Sequence, residues 1–303
     1  MAVFPVPDPT PLVHQVPVEG GVLLVGDADG LVAAAAEGLV DPDRALVFAA
    51  TLYDAPDGTT AALDEASSIV ITDTNRRQAR NWGTVRDVTG FTETEGYEAS
   101  EFDPNDHRLP VFAEDLPDDH RTVAVHVGGA EVSASDYGNP VSYTPSDRAV
   151  LAVDGDPRTA WRVGAFDDPR GARLRIDLDD PSELASVELL QPVTGPINRL
   201  VTDVRLHFDD GSRVDATLDD RSRTEPGQSI EFPERTVSWV EIEVVDTNVA
   251  PRPVYFGVSG VGFAEVGLGG LEVTELIRTP TAVVENLGAA EGRDVHVVLT
   301  RVR

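Results

Sequence analysis

The hydrophobic period changes once along this chain, and that change limits the folds open to it. Ahead of residue 83, apolar residues come in short unbroken runs: Val22-Leu23-Leu24-Val25, Ala45 to Ala50, and Ile69-Val70-Ile71 within Ser68 to Thr72. Helical stretches lie between them, the alanine-rich Leu31 to Leu39 and the shorter Thr60 to Ala66. Unbroken apolar strands alternating with helices predict βαβ units and a parallel sheet, whose strands are covered on both faces. From Arg121 onward the period becomes two. Val123 to Val127 alternates, and Arg173 to Leu178 turns Leu174, Ile176 and Leu178 to one side. Val204 to Phe208 runs through Asp209-Asp210-Gly211-Ser212 into Arg213 to Leu218, a hairpin signal, and Trp239 to Val244 exposes Glu241 and Glu243. Many short alternating strands separated by turns predict an antiparallel sandwich. The expected fold class is α/β plus all-β: a small parallel-sheet α/β domain followed by an antiparallel β-sandwich.

Five segments follow from this reading. Residues 1–20, with Pro5, Pro7, Pro9, Pro11 and Pro17, form an extended lead-in. Residues 21–83 form the α/β domain. Residues 84–120 form a connector rich in turn residues, ordered by Phe91, Tyr97, Phe102 and Phe112. The sandwich takes 121–267. Residues 268–303 hold two more strands, Leu271 to Ile277 and Val295 to Val302, which either complete a sheet or begin a further β module.

The α/β half offers one alternative function. Asp27, Asp29 and Asp73 lie at the carboxyl ends of expected strands, where open α/β sheets bind ligands, so an enzyme with an acidic site there is a rival reading. No glycine-rich phosphate loop and no nucleophile elbow accompanies them, and turn and helix-cap roles are the simpler reading. The spacing in Thr74 to Trp82 predicts a helix that places Arg76 and Arg80 on one face for surface ion pairing.

Charge excludes one class of partner. The 53 acidic residues outnumber the 24 basic ones, all of them arginine, for a net charge of -29. Such a field repels nucleic acid and concentrates divalent cations. Without cysteine, neither disulfides nor thiolate metal sites arise. No apolar stretch spans a bilayer and no signal peptide is evident, so no membrane insertion by this chain itself is expected.

Ala149 to Trp161 reads Ala-Val-Leu-Ala-Val-Asp-Gly-Asp-Pro-Arg-Thr-Ala-Trp. It sets Asp154, Asp156 and Thr159 in a tight loop, with Gly155 free to take positive φ and Pro157 stiffening the next bond. Side-chain and carbonyl oxygens curled inward suit a hard cation, Ca²⁺. Asp-Gly-Asp-Pro is also an ordinary turn in which the acids accept backbone amides, and the loop alone leaves both readings open.

This stretch resembles the signature of discoidin domains, also called coagulation factor 5/8 type C or family 32-like carbohydrate-binding modules. The resemblance implies a discoidin-type jelly roll with Trp161 in its core. It also implies a structural cation held by the Leu151 carbonyl, Asp154, Asp156 and Thr159, together with an Ala-Glu pair matched by Ala264 and Glu265 in Val-Gly-Phe-Ala-Glu-Val. Sugar binding in such modules uses loops at one end of the sandwich. The candidates here are Tyr137, Asn139, Tyr143, Asn198, Arg199, Asn248, Arg252 and Tyr255, each of which also has a structural reading. The loops Gly195 to Arg199 and Asn248 to Tyr255 are the favoured pair.

Val70-Ile71-Thr72-Asp73-Thr74-Asn75-Arg76-Arg77, followed later by Gln191-Pro192-Val193-Thr194-Gly195-Pro196-Ile197-Asn198-Arg199, resembles the large soluble region of α-(1→3)-arabinofuranosyltransferases, polytopic membrane enzymes of cell-wall arabinan synthesis. The transmembrane helices and catalytic loop of that family have no counterpart here. The resemblance therefore implies a non-catalytic, extracytoplasmic piece, a monomer or part of a larger membrane protein. Its partner would be cell-wall arabinan or its precursor. A structural scaffold or protein-interaction module with no sugar site is the other alternative.

Overall fold

The computed structural model describes residues 15–17, 19–55, 58–77, 92–95, 116–138, 144–165, 168–193, 199–248, 260–284 and 292–300. The chain divides into two compact units. One comprises 1–77, 109–123 and 278–303; the other comprises 78–108 and 124–277.

The first unit begins as the apolar runs require. Strand β1 (Gly21–Val25) leads to helix α1 (Ala28–Ala36), then β2 (Leu46–Phe48), helix α2 (Gly58–Glu65) and β3 (Ala66–Thr72). The strands pair in parallel, with Leu23 opposite Val47 and Ile69, and Leu24 opposite Phe48 and Val70. Leu23, Val25, Ile69 and Ile71 pack on one face with Ala49 and Leu63; Val22, Leu24 and Val70 pack on the other with Ala34. Both faces are covered, which is why these strands read as unbroken runs. Helix α1 starts three residues before the sequence expectation because the Asp27 carboxylate accepts the N–H groups of Asp29 and Gly30, at 3.0 and 3.3 Å.

The expected helix from Thr74 does not form over the described residues 74–77. Long-range bonds outcompete it. Arg76 pairs with the buried Asp73 at 2.9 Å and donates to the Thr300 carbonyl, and Asp73 in turn accepts the Thr300 N–H at 2.7 Å. Thr122 brackets the strip by donating to the Asn75 carbonyl and accepting the Arg77 N–H. Arg76 is therefore paired in the interior rather than on the surface of a helix, and Arg80 lies outside the described residues; Arg77 is ion-paired to Asp118 at 2.6 Å.

The second unit contains β4 (Val123–Val127), β5 (Ala130–Ala134), β6 (Trp161–Val163), β7 (Arg173–Leu190), β8 (Val201–Phe208), β9 (Arg213–Thr217), β10 (Gln228–Thr247), β11 (Val261–Phe263), β12 (Glu265–Gly267) and β13 (Thr274–Arg278). A six-stranded sheet runs β12-β7-β10-β8-β9, with β5 also on β7, and all of the registered pairs are antiparallel. The pairs β6–β11 and β4–β13 form separate two-stranded sheets. The inward alternate positions of the large sheet, Leu174, Ile176, Val204, Leu206, Val240 and Ile242, share one core with Trp161 and Phe263 of the small one. This is an antiparallel sandwich, and Trp161 lies fully buried in its core, with Nε1 donating to the Asp136 carbonyl at 3.0 Å.

The described strands of residues 268–303 complete sheets of the two units: β13 pairs with β4, and β14 (Asp294–Val298) joins the α/β sheet. Beyond β13, helix α3 (Thr281–Val284) adds Val283 to the α/β core, and β14 pairs with β3 in parallel as a fourth strand. The described parts of 84–120 are likewise divided: 92–95 belongs to the sandwich unit and 116–120 to the α/β unit. Of the lead-in, 15–17 and 19–20 are described, and the Pro17 carbonyl accepts the Ala45 N–H.

Gly262 stands in β11 with φ 159°, and a Cβ there would meet the Trp161 carbonyl oxygen at 1.9 Å. Gly262→Ala is expected to pry β11 from β6 and destabilise the sandwich by about 2–3 kcal/mol, read as a lowered urea midpoint of tryptophan fluorescence.

Candidate functional site

Two features of the sandwich unit carry polar chemistry. The first is the loop ahead of Trp161. Gly155 takes φ 75°, and a Cβ there would stand 2.9 Å from the Glu272 carboxyl carbon, so only glycine lets Glu272 lie over the turn. Thr159 Oγ1 sits amid oxygens. Both carboxylate oxygens of Asp154 lie at 2.9 Å, the Asp156 carbonyl at 2.8 Å and the Leu151 carbonyl at 3.3 Å. One hydroxyl proton cannot satisfy four acceptors.

Glu265 faces this loop across the β6–β11 pair. Burial, reinforced by the charges of Asp154, Asp156 and Glu272, pushes its carboxyl up to about 7, against a lowering by the Gly155 N–H. Its Oε1 is buried without a hydrogen-bond partner among the described residues. Ala264 is buried beside it and donates its N–H to the Leu190 carbonyl at 2.7 Å.

Asp156 departs from its expected role. Its carboxylate turns to Arg158, accepting Nε at 2.8 Å and Nη2 at 2.7 Å, and this pairing holds it down at about 2. Its backbone carbonyl, not its side chain, faces Thr159. Among the described residues no three acidic or histidine side chains stand close enough to hold a metal by themselves. The remaining donors are a hydroxyl and carbonyls, oxygen ligands that fit a hard cation of the Ca²⁺ type. Glu272 joins the cluster unannounced by the sequence, since nothing local marks it among 53 acids.

The second feature is a pocket of about 60 Å³ beside Tyr137. The Tyr137 hydroxyl donates to Glu93 at 2.5 Å, Arg148 is ion-paired with Glu275, and His126 Nε2 lies 3.9 Å from Glu275. Burial pushes the Glu275 carboxyl up, opposed by Arg148, and lowers the His126 imidazole, aided by Arg148. Of these residues only Tyr137 is legible as a candidate in the sequence.

The other sugar-contact candidates fare differently. Arg199 is 3% exposed and donates Nη1 to the Gly164 carbonyl at 2.8 Å, so its guanidinium braces the interior rather than facing a ligand. Asn248 is exposed, and its Oδ1 accepts the Leu200 N–H at 2.8 Å, a loop-to-loop clasp. Asn139, Tyr143, Asn198, Arg252 and Tyr255 lie outside the described residues. In the α/β unit, Asp27 is a helix cap and Asp73 a buried ion-pair partner. A cavity of about 160 Å³ there lies at the opposite strand ends, lined by Gly21, Ala45 and Ala66, so these acids do not converge in it.

The sandwich with its oxygen-lined loop is the architecture of a carbohydrate-binding module. Residues 116–285 match the family model described as "Arabinofuranosyltransferase D, third carbohydrate binding module", more than half of the chain, and the chain belongs to that family. Among solved structures, arabinofuranosyltransferase AftD from Mycobacteria matches with a TM-score of 0.57 at 19% identity, over 86% of this chain and 19% of that chain. A mutant of the same protein gives a TM-score of 0.55 at 20% identity, over 86% of this chain and 20% of that one. At these identities the likeness is one of fold. The chain spans about a fifth of the length of these structures. No curated protein matches it.

The raised Glu265 carboxyl has a pH signature. Between its unfolded value near 4.5 and its folded value of about 7, the folded state binds the proton more tightly. The contribution of this group to stability in the absence of metal is therefore fully present below this window and lost as pH rises through it. Glu265→Gln, measured in chelator, is expected to flatten that slope and to exceed the wild type in stability at pH 8.

Proposed function

We propose that this chain is a non-catalytic module that binds cell-wall arabinan or its precursor and positions it for a membrane arabinofuranosyltransferase on the extracytoplasmic side. The observation that carries this reading is the family match, which covers the whole sandwich. Two others support it: the acids of the α/β half are used for capping and ion pairing, and the sandwich presents a polar pocket at Tyr137. No described helix is long and apolar enough to cross a membrane.

Ca²⁺ belongs to the same proposal as a structural ion. Asp154, Thr159, Glu265 and the carbonyls of Leu151, Asp156 and Ala264 would hold it, with Glu272 adding charge. It would supply positive charge beside Glu265, where Arg158 does not since it turns outward to Asp156, and it would play no part in chemistry.

Calorimetric titration of the chain with arabinofuranose oligosaccharides is expected to give saturable binding in calcium and weaker binding after chelation. A folded, calcium-loaded chain that binds none of them would leave a scaffold in place of the sugar module. Calcium at a hundredfold excess over its Kd is expected to stabilise the wild type by about 2–3 kcal/mol. It should leave the melting temperature of Asp154→Ala unmoved.

A further inference from the structure

The pocket beside Tyr137 is assembled from segments far apart in the chain: Glu93 ahead of β4 in the sandwich unit, His126 on β4, Ala134 at the end of β5 and Tyr137 just beyond it, Arg148 ahead of the Asp154 to Thr159 loop, and Glu275 on β13. Glu93 and Arg148 are 6% and 8% exposed. Burying this many ionisable groups is costly, and apolar walls would pack the same space at less cost. The polar groups also have defined directions. His126 Nδ1 accepts the Val132 N–H at 3.1 Å, so the neutral ring carries its proton on Nε2, on the Glu275 side. The Tyr137 hydroxyl fixes one oxygen of the Glu93 carboxylate.

The charges define what such a pocket can take. An anion would meet Glu93 and Glu275. A cation would meet Arg148, and no described trio of acidic or histidine side chains forms a metal cage. What remains is a neutral group that both donates and accepts hydrogen bonds. The volume of about 60 Å³ holds a few waters, so it admits one hydroxyl-bearing edge of a sugar unit and not an oligosaccharide.

We propose that this pocket is a subsite for a single neutral, hydroxyl-rich sugar unit, whose hydroxyls donate to Glu93 and accept from His126 Nε2–H and Arg148, with the Tyr137 ring as a side wall. The inference rests on the carbohydrate-binding reading above.

The test is NMR titration of the full, calcium-loaded chain with methyl α-arabinofuranoside at pH 7, following the ring signals of His126 and Tyr137. Both are expected to shift saturably. Glu93→Gln, which keeps the shape but loses a charge-assisted acceptor, should weaken binding about tenfold. Tyr137→Phe, which frees the carboxylate while keeping the ring, should weaken it about threefold. Saturable shifts confined to other residues, or unchanged affinity in both folded variants, would overturn the subsite while leaving the sugar module standing. No saturable shift anywhere with the glycoside or with arabinan oligosaccharides would overturn both. Shifts of the two rings with calcium or sodium alone, and none with sugar, would reassign the pocket to a cation and overturn the proposal.

Discussion

The pairing of Trp161 with Phe263 is the contact from which the chemistry of the sandwich is laid out. The two rings stack with centroids 6.0 Å apart, and their strands are in register from Val163–Val261 to Trp161–Phe263. The loop from Asp154 to Thr159 ends just before Trp161, and Ala264-Glu265 follows Phe263 directly. Once the rings are buried, the loop and Glu265 must face each other. A second backbone bond, from the Val273 N–H to the Val153 carbonyl at 2.8 Å, lays Glu272 over Gly155. The carboxylates are therefore gathered by packing and backbone pairing, against their own repulsion. The cost appears at Glu265, whose carboxyl holds its proton far above the usual range. A proton relieves such a site, and the oxygens around Thr159 are the donors that the proposed cation would use.

Arginine manages the remaining charge by local rules. Asp156-Pro157-Arg158, Asp168-Pro169-Arg170 and Asp219-Asp220-Arg221 repeat one device: the aspartate accepts the backbone N–H of the arginine two residues on, and its carboxylate grips the same guanidinium. Lysine could not make that fork. The device explains why Asp156 is diverted from the loop interior. On the outer face of the large sheet, Arg173–Glu241, Arg175–Asp177 and Arg205–Asp215 pair at 2.6 to 3.0 Å. Each pair is worth little alone. Together they neutralise a face that would otherwise add to the excess of acid.

The fold was legible wherever period and burial coincide. The unbroken runs of β1 and β3 and the alternation of β7, β8 and β10 follow directly from which faces are covered. The discoidin signature located Trp161, Asp154, Thr159 and Glu265 in one place although about a hundred residues separate its two halves. What failed did so for non-local reasons. Thr74 to Arg77 has helical spacing, but the Asp73–Arg76–Thr300 and Thr122 bonds hold it out of a helix. Arg199 carries a ligand-like side chain, yet the interior carbonyl of Gly164 claims it. Glu93, His126, Arg148 and Glu275 occupy separate segments with no shared motif, so only folding reveals them as neighbours.

The same topology accounts for where that pocket lies. The sandwich is inserted into the α/β unit, which resumes at Arg278 and is completed by β14. An insertion is tolerated when its two ends come close together, and here the incoming strand β4 pairs with the outgoing strand β13. His126 belongs to the first and Glu275 to the second, while the Glu93 carbonyl accepts the Ala124 N–H at 2.9 Å beside them. A sandwich cut at Ala130 and Gly267 would keep the large sheet but lose Leu268 and Val273 from the core, Glu272 from over Gly155, and three of the polar walls. The pocket is thus a product of the insertion rather than of the sandwich alone, and its chemistry need not follow that of sandwiches built without such a strand pair.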